Sequence, residues 1–213
     1  MKEGAEWILG TFFKQKGIVK MKRFLILLFS VLLLTSCSAD KEKKEKVEFP
    51  LSMKVESFEG INQDGKQVDL SKLKGKVWVA DFVFTNCDTV CSPMTANMAE
   101  LQRKMADAGV DARLVSFSID PEQDQPAILK QYASGVKADF ANWDLITGYQ
   151  QEFIESFANK SFMAPAAKLE GSNQYVHSTS FYLVNIEGIV VQKYEGAADV
   201  PYEQIIKDIK SLQ

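Results

Sequence analysis

Two cysteines stand four residues apart, in the segment Cys87-Asp88-Thr89-Val90-Cys91. Thiols at that spacing suit disulfide exchange, metal binding, or both. If the segment is helical, positions four apart share a face and bring the sulfurs within reach of one another. Backbone N–H groups at a helix start favour anions, so thiolates placed there are stabilised. A bridge closing so small a loop would add little stability, which argues against a purely structural disulfide. The chain holds one histidine, His177, so only this side chain can add an imidazole. Two thiolates and an imidazole are one ligand short of a closed structural zinc site. Soft sulfur favours Cu(I), and a sulfur–nitrogen set also suits Cu(II). Copper is therefore the leading metal, one ion per chain, and zinc the second.

These residues need a scaffold. Residues 77–84 (VWVADFVF) are apolar nearly throughout, as expected of a strand buried on both faces, and they end just before Cys87. After Cys91, Met94, Met98, Leu101, Met105 and Ala108 recur at three- and four-residue steps, which predicts a helix closed by Gly109. The spacing makes those methionines a core stripe, not a second copper site. Residues 113–119 read as the next strand. Asp124 is expected to cap a helix over 125–134 that Gly135 closes. Residues 143–146 read as a short strand and 150–158 as a helix, and 160–176 lack periodicity and read as a long loop. Residues 179–185 and 189–194 flank Ile186-Glu187-Gly188 as a hairpin, and Pro201 opens a last helix with Ile205, Ile206 and Ile209 inward. Upstream, residues 55–58 and 66–68 flank Asn62-Gln63-Asp64-Gly65 as another hairpin, because Asp-Gly tolerates positive φ. A β-α-β half followed by a β-β-α half is the thioredoxin plan. The expected class is α/β, a thioredoxin-like fold with an N-terminal β-hairpin extension. In that plan the loop before the late hairpin abuts the first helix, which would bring His177 to the sulfurs.

The first part of the chain reads as a targeting region, residues 1–36. Lys22 and Arg23 precede an apolar run over 24–34 that is too short for an ordinary membrane span, and Met21 is the expected true start. Leu34-Thr35-Ser36-Cys37 resembles the bacterial lipobox, which implies cleavage before Cys37 and lipidation of its sulfur. Two or more acyl chains would give a stable tether to the outer face of the cell membrane. The charged run that follows completes a solvated linker over 37–49, and residues 50–213 form the expected folded domain. Residues 37–213 hold 19 Lys and Arg against 26 Asp and Glu, net −7, so no basic patch points to nucleic acid. With Cys37 lipidated, only Cys87 and Cys91 would face an oxidising compartment, where thiols persist when protected, recycled or metal-bound.

Four motifs occur in order: Phe84-Thr85-Asn86-Cys87 with Cys91, Ser118-Ile119-Asp120-Pro121-Glu122-Gln123-Asp124, Leu145-Ile146-Thr147-Gly148, and Val176-His177-Ser178-Thr179-Ser180-Phe181-Tyr182-Leu183. In this combination the chain resembles the Sco/SenC family, copper proteins associated with assembly of the copper A site of cytochrome c oxidase. The resemblance implies that Cys87, Cys91 and His177 are the copper ligands and that Asp120 and Asp124 shape the neighbouring βα loop. The implied function is an extracytoplasmic copper chaperone, expected to be a monomer, whose partner is the oxidase subunit carrying copper A. The alternative is a thiol–disulfide reductase acting on that subunit through Cys87 and Cys91. The chain departs from the family in two places. Asp88-Thr89 replaces the usual Pro-Asp, and Val176 replaces the usual Asp before the histidine, which removes a carboxylate partner for the ring. A peroxiredoxin-like P-x-x-x-T-x-x-C pattern fits neither cysteine.

Overall fold

The computed structural model describes residues 48–87 and 91–213. The expected targeting region, Cys37 and most of the linker lie outside the described residues, as do Asp88 and Thr89. Among the described residues no helix is long and apolar enough to cross a membrane.

Strands and helices follow in the order β1 (Met53–Lys54), β2 (Glu59–Asn62), β3 (Gln67–Asp69), α1 (Leu70–Leu73), β4 (Trp78–Val83), α2 (Cys91–Asp107), β5 (Arg113–Ser118), α3 (Pro126–Ser134), β6 (Trp143–Thr147), α4 (Gln151–Phe162), β7 (Ala166–Lys168), β8 (Tyr175–His177), β9 (Ser180–Val184), β10 (Ile189–Glu195) and α5 (Tyr202–Ser211). Eight strands form one sheet in the order β1-β10-β9-β4-β5-β6-β2-β3. The β4, β5 and β6 strands are parallel, and β9 and β10 join antiparallel on the other side of β4. This is the thioredoxin-like arrangement expected from the element order, and the β2–β3 hairpin is the N-terminal extension, docked on β6.

All six residues of β4 are buried, because helices cover both faces of the sheet. Strand alternation sorts them. Trp78, Ala80 and Phe82 join an aromatic cluster with Phe117 of β5 and Phe157 and Phe162 of α4, and the Phe82–Phe162 centroids are 5.4 Å apart. Val79 points the other way, into a second cluster with the helices α2 and α5. There Met94, Met98, Leu101 and Met105 are fully buried, as their helical spacing requires. Ile205 and Ile209 of α5 pack into the same cluster.

Several local expectations need correction. The hairpin's first strand is β2, four residues later than the apolar run at 55–58. Val55 and Phe58 are buried core residues outside any strand, and within β2 position 60 suits glycine, since a Cβ there would meet Ile146 Cγ2 at 2.5 Å. The turn itself behaves as expected, with Gly65 at φ +72°. Asp124 does not cap α3. Gln125 occupies the cap position without a side-chain bond, and Pro126 opens the helix. Gly135 does close α3 as expected, right-handed at φ −60°, and Lys137 takes the left-handed turn at φ +61°. The α4 helix runs on to Phe162, ending in a left-handed Met163. Residues 160–176 are therefore no loop: they finish α4 and then form most of the β7–β8 hairpin, paired Ala166 with His177 and Lys168 with Tyr175.

One polar residue breaks the apolar run of β4. Asp81 is fully buried, and neither carboxyl oxygen has a hydrogen-bond partner. Burial pushes its pKa from 3.8 to about 7, against a smaller opposing effect of Ser116. The folded chain therefore holds this proton more tightly than the unfolded one, and the associated stability is full below about pH 4 and lost as pH rises through 7. In Asp81→Asn that dependence disappears. Melting temperatures measured from pH 5 to 8 should show the wild type losing ground steadily to the variant as pH rises, by an amount equivalent to a few kcal/mol. A constant gap between the two would refute the perturbed carboxyl.

Candidate metal centre

Sheet register brings the three sulfur and nitrogen donors together. The β4 and β9 strands run antiparallel, with Ala80 opposite Tyr182 and Trp78 opposite Val184. Chain leaving the C-terminal end of β4 therefore travels alongside chain entering the N-terminal end of β9. Cys87 lies on the first path and His177 on the second, and α2 begins at Cys91 between them. Sites in open α/β sheets are commonly built at such strand ends.

The Cys87 and Cys91 sulfurs and a ring nitrogen of His177 all lie within 4.8 Å of one another. The Cys91 Sγ to His177 Nε2 distance is 3.1 Å. Cys91 N–H donates to Cys87 Sγ at 3.4 Å, so the helix start orients a donor at the first sulfur. Cys87 is half-buried and Cys91 fully buried, and no disulfide joins them. Desolvation, then the Cys87 thiol beside it, push the Cys91 thiol well above its ordinary range. Cys91 is thus a proton-bearing thiol that ionises when a metal or an electrophile compensates the charge. Desolvation lowers the His177 pKa and keeps the ring neutral, with a nitrogen lone pair available as a ligand.

The neighbourhood fixes each donor. His177 Nδ1 donates to the carbonyl of Ser178 at 2.9 Å, which leaves Nε2 as the acceptor facing Cys91. That backbone oxygen takes the part of the missing carboxylate at position 176, where Val176 is exposed. Phe84 meets the imidazole edge-on at 5.7 Å between centroids. Gln174 Nε2 donates to the Asn86 carbonyl at 3.0 Å, tying the β7–β8 turn to the cysteine loop. The corrected role of Asp124 belongs here as well. It accepts from Thr85 N–H at 3.1 Å, from Thr85 Oγ1 at 2.6 Å and from Ser118 Oγ at 2.6 Å. It therefore pins the segment two residues before Cys87 to the end of β5. Asp120 closes the turn through its backbone carbonyl, which accepts from Gln123 and Asp124 N–H. Neither aspartate belongs to the three-donor cluster.

All three ligands expected from sequence meet at one point. The Ser178 carbonyl and the Gln174 clamp carried no sequence signal, since one is backbone and the other lies in a stretch without periodicity. Thr85 stands inside a motif singled out from the sequence, but its partner could not be read there. Two soft sulfurs and one imidazole fit a copper ion by donor type, and their mutual spacing is that of ligands around one centre.

Comparison with known proteins agrees with this picture. The SCO1/SenC family model matches residues 50–213. The SCO1 protein homolog of Bacillus subtilis (strain 168) is 50% identical over 167 residues, covering 78% of this chain and 86% of the relative. The solved structure of BsSco, described as having a disulfide switch and as a member of the Sco family of cytochrome c oxidase assembly proteins, aligns with TM-score 0.72 at 50% identity, over 78% of this chain and 98% of that one. Bradyrhizobium japonicum ScoI, solved with copper bound, aligns with TM-score 0.62 at 25% identity, over 76% and 99% of the two chains. With the fold, the family match and the Cys-Cys-His cluster in agreement, this chain belongs to the SCO1/SenC family.

Proposed function

We propose that this chain is a copper chaperone that binds one copper ion through Cys87, Cys91 and His177 and serves assembly of the copper A site of cytochrome c oxidase. The convergence of three donor atoms within 4.8 Å carries the proposal. It is supported by the copper-bound relative and by the assembly role stated for BsSco. Donor softness favours Cu(I), while the imidazole keeps Cu(II) accessible if the sulfurs are restrained from closing on each other. The partner in this reading is the oxidase subunit that carries copper A. The lipobox-like segment ending at Cys37 supports attachment by lipid to the extracytoplasmic face of the cell membrane, where that subunit's metal site would be filled.

A second reading has its own observation. Cys87 is partly accessible and Cys91 is buried beside it. An accessible thiol with a protected partner is the layout of a thiol–disulfide reductase, which would keep the oxidase cysteines reduced for metal entry. The disulfide switch described for BsSco supports this alternative. The histidine separates the two. Exchange needs only the sulfurs, whereas metal binding gains from the ring.

In His177→Ala, copper affinity of the reduced soluble domain should fall by at least about tenfold, while reduction of a model disulfide persists. Competition with a Cu(I) chelator measures the first and a thiol-exchange assay the second. Equal affinity in the two proteins would reject the metal reading. Because the ligand set forms only in the folded chain, copper should also raise the melting temperature, and a chelator should reverse the rise. A melting temperature unmoved across the copper titration would count against a folded-state site.

A further inference from the structure

Residues 48–54 bring the chain into the folded domain along the outer edge of β10. Met53 pairs with Val190 and Lys54 with Ile189, antiparallel, and Leu51 N–H donates to the Val191 carbonyl at 3.1 Å. Phe49 packs, partly buried, on the cluster that holds Val191 and Tyr194. Traced back from Met53, the chain therefore runs up β10 towards Tyr194 and Glu195. Those two residues pair with Phe181 and Ser180, at the entrance of β9. That entrance marks the end of the sheet where Cys87, Cys91 and His177 meet. In the strand order β1-β10-β9-β4, three strand spacings separate the incoming chain from β4, about 14 Å. The opposite end of the sheet carries the β9–β10 turn with exposed Ile186, whose carbonyl accepts from Gly75 N–H. Gln213 lies at that far end too, where its Nε2 donates to the Asp111 carbonyl.

The donors and the entry of the chain thus share one end of the domain. We infer that this end faces the lipid bilayer, so that the metal centre works in the layer of solvent next to the headgroups. The inference rests on the reading that Cys37 carries lipid, and it holds for either activity of the cysteines. Only residues 37–47, eleven in number, separate the lipidated sulfur from Glu48. A chain of that length spans at most about 38 Å when fully extended, and about 18 Å on average as a flexible coil. A folded domain of this size is about 40 Å across. Turning the far end to the bilayer would stretch the tether along the whole side of the domain, at a cost in conformational entropy. With the near end down, the same residues keep their freedom. Residues 41–46 (KEKKEK) hold four Lys and two Glu, a net +2 that anionic headgroups attract, which draws the tether further towards the surface. The partner that fits this placement is itself bound to the membrane and presents its own metal or thiol site close to the headgroups. A freely diffusing protein would find the centre screened by the bilayer.

The test uses the full chain, lipidated in cells and reconstituted in vesicles of phosphatidylethanolamine and phosphatidylglycerol that carry a gadolinium-chelate lipid. A nitroxide linked through p-acetylphenylalanine, which spares the cysteines, is placed either at Leu169 or at Ile186, both exposed. Leu169 lies on the β7–β8 turn beside the cysteine loop, and Ile186 at the far end. Relaxation of the nitroxide by headgroup gadolinium falls steeply with distance. The label at 169 should relax several-fold faster than the label at 186. A flexible Gly-Ser insertion after Glu45, long enough to reach round the domain, should bring the two rates together. Equal rates with the native tether, or a faster rate at 186, would overturn the inference and leave the lipid anchor and the copper site standing. Association with the vesicles that survives unchanged in Cys37→Ser would remove the lipid-anchor reading, and this inference with it.

Discussion

The antiparallel pairing of β4 with β9 is the constraint from which the site follows. It sets Ala80 against Tyr182 and so lays the exit of one strand beside the entrance of the other. A residue 86 positions from Cys91 in sequence is thereby held 3.1 Å from its sulfur. The register is not free to slip, because one step would send Trp78 and Phe82 to the wrong face and break two packed clusters. The cost of bringing distant donors together is met by burial of the sheet, and a metal would find the ligands already ordered. That preorganisation distinguishes the cluster from a loop that must fold around its ion.

Protonation gives the site its second character. Without metal, the buried Cys91 keeps its proton and the imidazole stays neutral, so neither adds charge inside a low-dielectric pocket. A cation bound there would displace the Cys91 proton and take the lone pair of the neutral ring. Neutral-ring geometry depends on the Ser178 carbonyl holding Nδ1, and loop position depends on Asp124 gathering Thr85 and Ser118. Both supports act at one remove from the donors. The partly exposed Cys87 gives the cluster an open side, through which an ion or a partner thiol can approach.

Much of this was legible in the residues. A nearly continuous apolar run marked β4, and helical periodicity marked the methionine stripe of α2 and the inward face of α5, because burial enforces those patterns directly. The three donors were legible because the chain has few groups able to do such chemistry. Features set by tertiary pairing were not. Glu59-Gly60-Ile61-Asn62 has no strand-like composition and is a strand because β6 and β3 flank it. The β7–β8 hairpin has strands of only three residues each, Ala166–Lys168 and Tyr175–His177, too short to show a period. Asp124 precedes a helix, where an aspartate reads as a cap, and only the fold shows that its oxygens reach back 39 residues to Thr85. Asp81 could be seen as one polar residue in an apolar run, but its isolation depends on which neighbours the sheet supplies.

The central claim is that two sulfurs and one distant imidazole bind a single copper ion. X-ray absorption at the copper edge of the loaded soluble domain tests it most directly. The account predicts a first shell of two sulfurs and one nitrogen, with the nitrogen lost in His177→Ala. A shell of sulfur alone in the wild type, or one sulfur with several light atoms, would contradict it.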